Sequence, residues 1–342
     1  MINIEMYAVK NLGDDLFLKV LSEYFSSEDF LVKTGLRYNK KHYQKNVHFD
    51  YSIINRISRH FLRRDLLLRK KAINANIILG GSMFIENGDA LREQRGSYKN
   101  LFIIGSNFGP FSHDSYLGEY KKIFANAKDV CFREKYSAKL FEELGNIRVA
   151  PDVVFGLDTT RFKIESKRKI IISVIDLSRR DKLARFKDAY ESKIAEIADY
   201  YSANGYEVVL MSFCKVEGDE NAVKSIISKT KNKISAFFYD GNIDKALNEI
   251  SSSELVIGTR FHSVVLGFVF NKRVLPVIYS NKTVNMLDDL KYSGEFIGIE
   301  DISSIDNYNL DNMFGCLENL DNIKDESRNH FYVLEKFLKG KK

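Results

Sequence analysis

Arg260 and His262 stand two positions apart, just beyond the apolar run Leu255-Val256-Ile257-Gly258. A buried strand running straight into a helix start exposes backbone N–H groups at the positive end of the helix dipole, which makes an anion site. Arg260 adds a planar fork suited to a carboxylate or a phosphate. His262 has the chemistry of a hydrogen-bond donor, a general acid, or both. An isolated Arg-x-His is as readily a surface Arg beside a core His. Place favours chemistry here, because open α/β sheets bind ligands at the carboxyl ends of their strands. One element later, Pro276-Val277-Ile278-Tyr279-Ser280-Asn281-Lys282 repeats the pattern of strand end, Ser/Asn turn and helix start. A cation at a helix N-terminus is unfavourable unless it serves an anion. Arg260, His262 and Lys282 are therefore read as one cluster for a small, multiply charged anion.

Three loops in the first half occupy similar positions. Asn11-Leu12-Gly13-Asp14 opens into a helix. Gly13 can supply a tight turn for close approach of a ligand, and Asp14 is either the helix N-cap or a general base. Gly80-Gly81-Ser82-Met83-Phe84 and Gly105-Ser106-Asn107-Phe108-Gly109-Pro110-Phe111 each follow an apolar run. They serve equally as tight connections or as binding loops. Neither is a G-x-G-x-x-G fingerprint or a Walker A loop. His42, His48, His60 and His330 have no metal-ligand spacing, and His113 lies on an expected surface turn. Cys131, Cys214 and Cys316 are odd in number, far apart and without a CxxC pair, which excludes a zinc ribbon and a disulfide scaffold. No metal site and no cofactor are expected.

The elements that must hold these loops alternate along the chain. Ile77–Leu79, Leu101–Ile104, Lys128–Phe132, Ile170–Val174, Glu207–Met211, Leu255–Ile257 and Val274–Ile278 are short apolar runs closed by Gly, Ser, Asn or Pro. They read as buried parallel strands. Segments with helical spacing lie between them, including Asp181–Tyr201 and Asp219–Ser228. This is an α/β pattern of two doubly wound domains. The break falls near 156–168, giving domains 1–160 and 161–322 and a polar helix over 323–342. At 342 residues, 44% hydrophobic and 29% charged, the chain is an ordinary globular protein and not a disordered one.

The net charge of +6 is concentrated locally. Leu31–Ala72 holds twelve Lys/Arg against Asp50 and Asp65. Within it Ser52–Lys71 reads as an amphipathic basic helix. It is either a solvated face or a peripheral contact with anionic lipid. No nucleic-acid module signature is present, so nucleic acid is not an expected partner. No apolar stretch approaches the ~18 residues of a spanning helix, and the first residues do not read as a signal peptide. A cytoplasmic protein is expected.

The ordered set of motifs resembles the polysaccharide pyruvyl transferases. It runs through Asn11-Leu12-Gly13-Asp14, Gly80–Phe84, Gly105–Phe111, Arg133-Glu134-Lys135-Tyr136-Ser137, Leu144-Gly145 and Pro151-Asp152-Val153-Val154-Phe155. It ends with Arg260-Phe261-His262 and Tyr279-Ser280-Asn281-Lys282. The chain departs from the pattern at Ser82, where a third Gly is common. It departs again after Ser173-Val174-Ile175, where an Arg is expected; Arg179 or Arg180 stands near that place. The resemblance implies two Rossmann-like domains facing across a cleft, as in the GT-B architecture. It implies phosphoenolpyruvate as donor and a sugar hydroxyl pair, on a glycan or lipid-linked precursor, as acceptor.

On that reading Arg260, His262, Lys282, Ser280 and Arg179 bind the donor, and Asn11, Gly13, Gly81, Ser82, Ser106 and Asn107 bind the acceptor. His262 is the candidate acid and Asp14, across the cleft, the candidate base. Arg260→Ala and His262→Ala are expected to cost activity far more than stability. The alternatives are a GT-B glycosyltransferase using a nucleotide sugar, whose ribose-holding acid Asp288 and Asp289 fit poorly, and a non-catalytic glycan- or lipid-binding protein of the same fold.

Overall fold

The computed structural model describes residues 1–51, 74–87, 89–162, 168–180 and 182–340. The basic segment 52–71 singled out above lies outside them. Contacts divide the chain into two units: Met1–Val9, Leu16–Gly156 and Asn322–Lys342 form the first, and Lys10–Asp15 with Leu157–Asp321 forms the second.

The first unit is built on seven parallel strands, β1 (Ile2–Glu5), β2 (Phe30–Lys33), β3 (Val47–Asp50), β4 (Ala75–Leu79), β5 (Leu101–Ser106), β6 (Asp129–Phe132) and β7 (Ile147–Val149). Their order is β3-β2-β1-β4-β5-β6-β7, so the winding reverses between β1 and β4. Strands β4, β5 and β6 are buried at every position, and strands covered on both faces read as continuous apolar runs. One face packs against the aromatic side of helix α2 (Asp114–Ala125), where Tyr116, Tyr120 and Phe124 recur at helical spacing and meet Phe84, Phe108 and Phe141. The C-terminal segment belongs to this unit. Phe331 lies 4.8 Å from Tyr24, Phe337 lies 5.3 Å from Phe102, and the His330 Nε2 donates to the Pro151 carbonyl at 2.9 Å.

The second unit has six parallel strands, β8 (Lys169–Ser173), β9 (Glu207–Ser212), β10 (Ser235–Phe238), β11 (Leu255–Gly258), β12 (Arg273–Ile278) and β13 (Ile297–Gly298). Their order is β10-β9-β8-β11-β12-β13, with its reversal between β8 and β11. Helices α3 (Lys187–Ala203), α4 (Asp219–Lys229), α5 (Ile243–Ser251), α6 (Phe261–Val269) and α7 (Asn281–Asp289) connect them. Phe261 and Ser263–Val269 of α6 are all buried, as expected of a helix that is apolar all round. Among the described residues no helix is long and apolar enough to cross a membrane.

Candidate functional site

The carboxyl ends of β8, β9, β11 and β12 carry a polar cluster at the reversal point of the second sheet, where doubly wound folds bind ligands. Ser173, the last residue of β8, fastens it. Its Oγ accepts from the backbone N–H of Thr259 (3.1 Å) and Arg260 (3.2 Å) and lies 2.5 Å from the Ser263 Oγ. Ser263 in turn donates to the Arg260 carbonyl at 2.6 Å. The turn from β11 into α6 is therefore held from below, and Arg260 leaves it at a fixed angle.

Arg260 does not point outward as an unengaged fork. It is 7% exposed, and its Nε donates to Asp219 at 2.9 Å, its Nη2 also to Asp219, and its Nη1 to Glu217 at 2.6 Å. Asp219 opens α4 and also accepts the N–H groups of Phe213 (3.0 Å) and Cys214 (2.9 Å). Burial alone would push the guanidinium pKa down; Asp219 and Glu217 hold it well above its ordinary value. The loop carrying these acids turns through Gly218 at φ 90°, where an added Cβ would lie 2.6 Å from the Asp176 carboxylate.

Asn11, Gly13 and Asp14 group with this unit and not with the rest of the first half. The N-cap of helix α1 (Leu12–Tyr24) is Asn11, not Asp14. The Asn11 Oδ1 accepts the Gly13 N–H at 3.0 Å, and its Nδ2 donates to Glu217 at 3.0 Å. Asn11 has the right spacing to bond the second N–H of the helix, which leaves Asp14 in the first turn, 9% exposed. Gly13 supplies a close approach, but the group that approaches is His262: a Cβ at Gly13 would lie 1.9 Å from the His262 Nδ1. The half-buried imidazole of His262 therefore lies against the start of α1. Asp15, fully buried, accepts from the Tyr239 hydroxyl at 2.6 Å.

The cations closing the cluster are Arg180 and Lys282. Arg180 stands 4.7 Å over the Tyr279 ring and donates to Glu217 at 3.3 Å. Lys282 lies 5.7 Å from the Tyr279 ring centre and 5.9 Å from that of Phe261. Ser280 precedes α7, and its buried Oγ has no hydrogen-bond partner among the described residues. Arg179 turns away, giving its Nη1 to the Val216 carbonyl at 2.6 Å with its side chain half exposed. Burial opposes ionisation of Tyr279, yet Lys282, Arg180 and Arg260 outweigh it and set its pKa below the ordinary phenol value. The same cations outweigh burial at Glu217 and hold its carboxyl below the usual range. Arg260, Arg180 and Lys282 stand here with Glu217 and Asp219, and Lys282 lies in the first turn of α7, at the positive end of its dipole.

Gly81, Ser82, Ser106 and Asn107 form a different group, in the first unit around Arg133. Arg133 donates to Asp152 at 3.0 Å and to Asn107 at 2.6 Å, and a Cβ at Gly81 would lie 2.5 Å from its guanidinium. The Ser106 Oγ donates to the Gly80 carbonyl at 2.6 Å. Asn107 and Ser106 are buried by these contacts and brace the two loops; Ser82 is exposed. The Arg133-Glu134-x-x-Ser137 motif is bracing of the same kind. The Ser137 Oγ donates to Glu134 at 2.6 Å and accepts the Phe108 N–H at 2.8 Å.

Sequence reasoning missed Glu217 and Asp219 altogether and did not use Tyr279. The signal available was positional: Cys214–Asp219 follows β9 as the other loops follow their strands. Among the described residues no group of three or more His, Cys, Asp or Glu is arranged to hold a metal ion.

A family model for polysaccharide pyruvyl transferase matches residues 11–281. The amylovoran biosynthesis protein AmsJ of Erwinia amylovora is 23% identical over 249 residues, covering 64% of this chain; the match spans 60% of that relative's length. Among solved structures, the S. aureus MnaA–UDP complex gives a TM-score of 0.61 at 12% identity, covering 98% of this chain and 94% of that one. A glycosyltransferase from Rickettsia africae gives 0.52 at 10% identity, covering 98% and 93%. The structural likenesses establish the fold: α/β, two parallel-sheet units of the GT-B-like class.

Proposed function

Because the chain belongs to the polysaccharide pyruvyl transferase family, we propose that it moves a pyruvyl group from phosphoenolpyruvate to two hydroxyls of a sugar, on a glycan or lipid-linked precursor, forming a pyruvate ketal and releasing phosphate. The observation that carries this reading is the carboxyl end of the second sheet, where Lys282 and Arg180 stand by the Tyr279 ring and, with Arg260, hold its pKa below the ordinary phenol value. A small dianion or trianion carrying carboxylate and phosphate is what such a place accommodates.

The chemistry assigned to these residues balances without an external reactant. A proton adds to the methylene carbon of the donor, and the adjacent carbon becomes oxocarbenium-like. One sugar hydroxyl attacks that carbon, the C–O bond to phosphate breaks, and the second hydroxyl closes the ketal. Two hydroxyl protons are released; one replaces the proton taken up by the methylene carbon and the other leaves with phosphate. His262, held against Gly13, serves as the acid or as a donor to the leaving phosphate. Asp14, in the first turn of the same helix, serves as the base for a hydroxyl. Lys282, Arg180 and the Ser280 hydroxyl stabilise the charge on the departing phosphate. Arg260 acts one step back, as a positioning residue that fixes Glu217 and through it Arg180.

The test is a thermal-shift titration with phosphoenolpyruvate, beside UDP-, GDP- and CMP-sugars, on wild type and Lys282→Ala. A ligand at a hundred times its dissociation constant adds about 2.7 kcal/mol. A shift with phosphoenolpyruvate that Lys282→Ala abolishes is expected. A shift with a nucleotide sugar alone overturns the pyruvyl reading in favour of glycosyl transfer.

A further inference from the structure

The crossover from β2 to β3, residues 34–46, lies at the outer edge of the first sheet, because β3 is its terminal strand. The two strands are parallel, so the chain returns along that edge from the carboxyl end of β2 to the amino end of β3.

Aromatic rings fasten the crossover to β3. Val47 and Phe49 share the buried face of the strand. Tyr38 stacks on the Phe49 ring at 4.7 Å with 9° between the planes, and Tyr43 meets the same ring edge-on at 5.1 Å. The Tyr51 hydroxyl accepts the Tyr38 N–H at 3.3 Å and donates to the Tyr38 carbonyl at 3.3 Å. Tyr38 and Phe49 are buried in this packing, and Tyr51 is 40% exposed.

The side chains turned outward are positive. Residues 35–46 include Arg37, Lys40, Lys41 and Lys45 and no Asp or Glu. All four cations are exposed, and none is in an ion pair among the described residues. The carboxylates beside the crossover are taken: Glu23, which Gln44 reaches at 3.3 Å, holds Lys19 at 2.6 Å, and Asp29 holds His48 at 2.9 Å. Other exposed cations have partners, as Lys121 has Glu143 at 2.5 Å and Arg328 has Asp325 at 3.3 Å.

Protection of the sheet edge does not account for this charge. Lysines that keep an edge strand from pairing stand on the strand itself, and Val47–Asp50 carries none. Nucleic acid fits poorly too. Binders of single strands offer free aromatic faces for bases to stack on, whereas Tyr38 and Phe49 spend their faces on each other. Four like charges along one outer edge, bordered by an exposed tyrosine, complement an extended plane of negative charge. Anionic lipid phosphates form such a plane, and a tyrosine with one apolar and one wet end suits the headgroup layer.

We infer that this crossover docks the chain on an anionic lipid bilayer, with Arg37, Lys40, Lys41 and Lys45 against the lipid phosphates and Tyr51 in the headgroup layer. The surface does not include the basic segment 52–71. It goes beyond the transfer reaction proposed above, because docking needs neither donor nor acceptor.

The test is co-sedimentation of the whole chain with vesicles, without donor or sugar. One set is phosphatidylcholine alone, the other phosphatidylcholine and phosphatidylglycerol in equal parts. Wild type should sediment with the second set only, and less as salt is raised. Lys40→Glu/Lys41→Glu should lower the partition coefficient by at least about thirtyfold, the effect of two cations lost from an anionic surface. Arg37→Gln/Lys45→Gln, which only removes charge, should lower it by about thirtyfold and replaces the first variant should that one not fold. Lys231→Glu/Lys233→Glu, the same charge change at exposed lysines of the second unit, should leave it unchanged. Failure of wild type to sediment with the anionic vesicles, equal sedimentation with both sets, full binding by the crossover variants, or equal loss in the second-unit variant would each overturn the inference. So would a mixed-sequence single-stranded oligonucleotide bound in place of the vesicles and lost in the crossover variants, which would assign the surface to nucleic acid.

Discussion

Replacing Arg260 by alanine should unfold the second unit more readily than it harms chemistry directly. Asp219 is 0% exposed, and its carboxylate is held by two guanidinium contacts and by the N–H groups of Phe213 and Cys214. Without Arg260 the two backbone donors remain but the counter-charge is gone. Breaking one side of a buried pair costs about 3–5 kcal/mol. Glu217 is better placed, being partly exposed and still in contact with Arg180, so it adds little. Because whole-domain stabilities run to only about 5–15 kcal/mol, this is a severe loss.

The assay is equilibrium urea unfolding followed by far-UV circular dichroism, since the chain has no tryptophan. It is run on Arg260→Ala, Asp219→Ala and the Arg260→Met/Asp219→Leu double variant. The double variant should recover most of the loss, because it leaves no buried charge unpaired. A loss in Arg260→Ala below about 1 kcal/mol, the range of an exposed pair, would refute the argument. So would a double variant no more stable than either single. This prediction is the opposite of the expectation from sequence that Arg260→Ala costs activity far more than stability, and it makes Lys282→Ala the cleaner probe of donor binding.

Two further tests follow from packing. Gly13→Ala places a methyl group 1.9 Å from the His262 Nδ1 and should cost about 1–3 kcal/mol by overpacking. It should also cut phosphoenolpyruvate-dependent phosphate release as far as His262→Ala does, and the Gly13→Ala/His262→Ala double variant should be no slower than His262→Ala alone. His330 is fully buried, and burial lowers its pKa from 6.5 to about 4. The unfolded chain therefore binds a proton that the folded chain refuses. Stability is intact above pH 6.5 and falls as pH drops toward 4, by about 3 kcal/mol in all at ~1.4 kcal/mol per pH unit. In urea unfolding across that window, His330→Phe should flatten the slope attributable to this residue.

Much of the fold was legible because burial on both faces writes strands as unbroken apolar runs. Strands β4, β5, β6, β8, β9, β11 and β12 were read that way. β10 was not, because an edge strand exposed at Ser235, Ala236 and Phe238 lacks the pattern, and β13 is only two residues long. The anion cluster was legible in part, since strand ends are visible in a sequence and Arg260, His262, Ser280 and Lys282 all follow one. Their pairing was not. Glu217 and Asp219 lie more than forty positions before Arg260, and a single sequence carries no sign of which cation they neutralise. Gly13 was singled out for close approach, but that His262 packs against it was not legible, because that ring comes from far along the chain.

The membership of the two units bears on how the protein is made. Unit one needs Asn322–Lys342, since Phe331 and His330 enter its interior and half-buried Phe337 packs on Phe102, whereas Leu157–Asp321 supplies nearly all of unit two. During synthesis the amino-terminal sheet must therefore wait, the face around Tyr24, Phe25 and Phe102 incompletely covered, while the later sheet assembles from contiguous chain. The unit translated first is finished last, because the segment that completes it is the last to leave the ribosome.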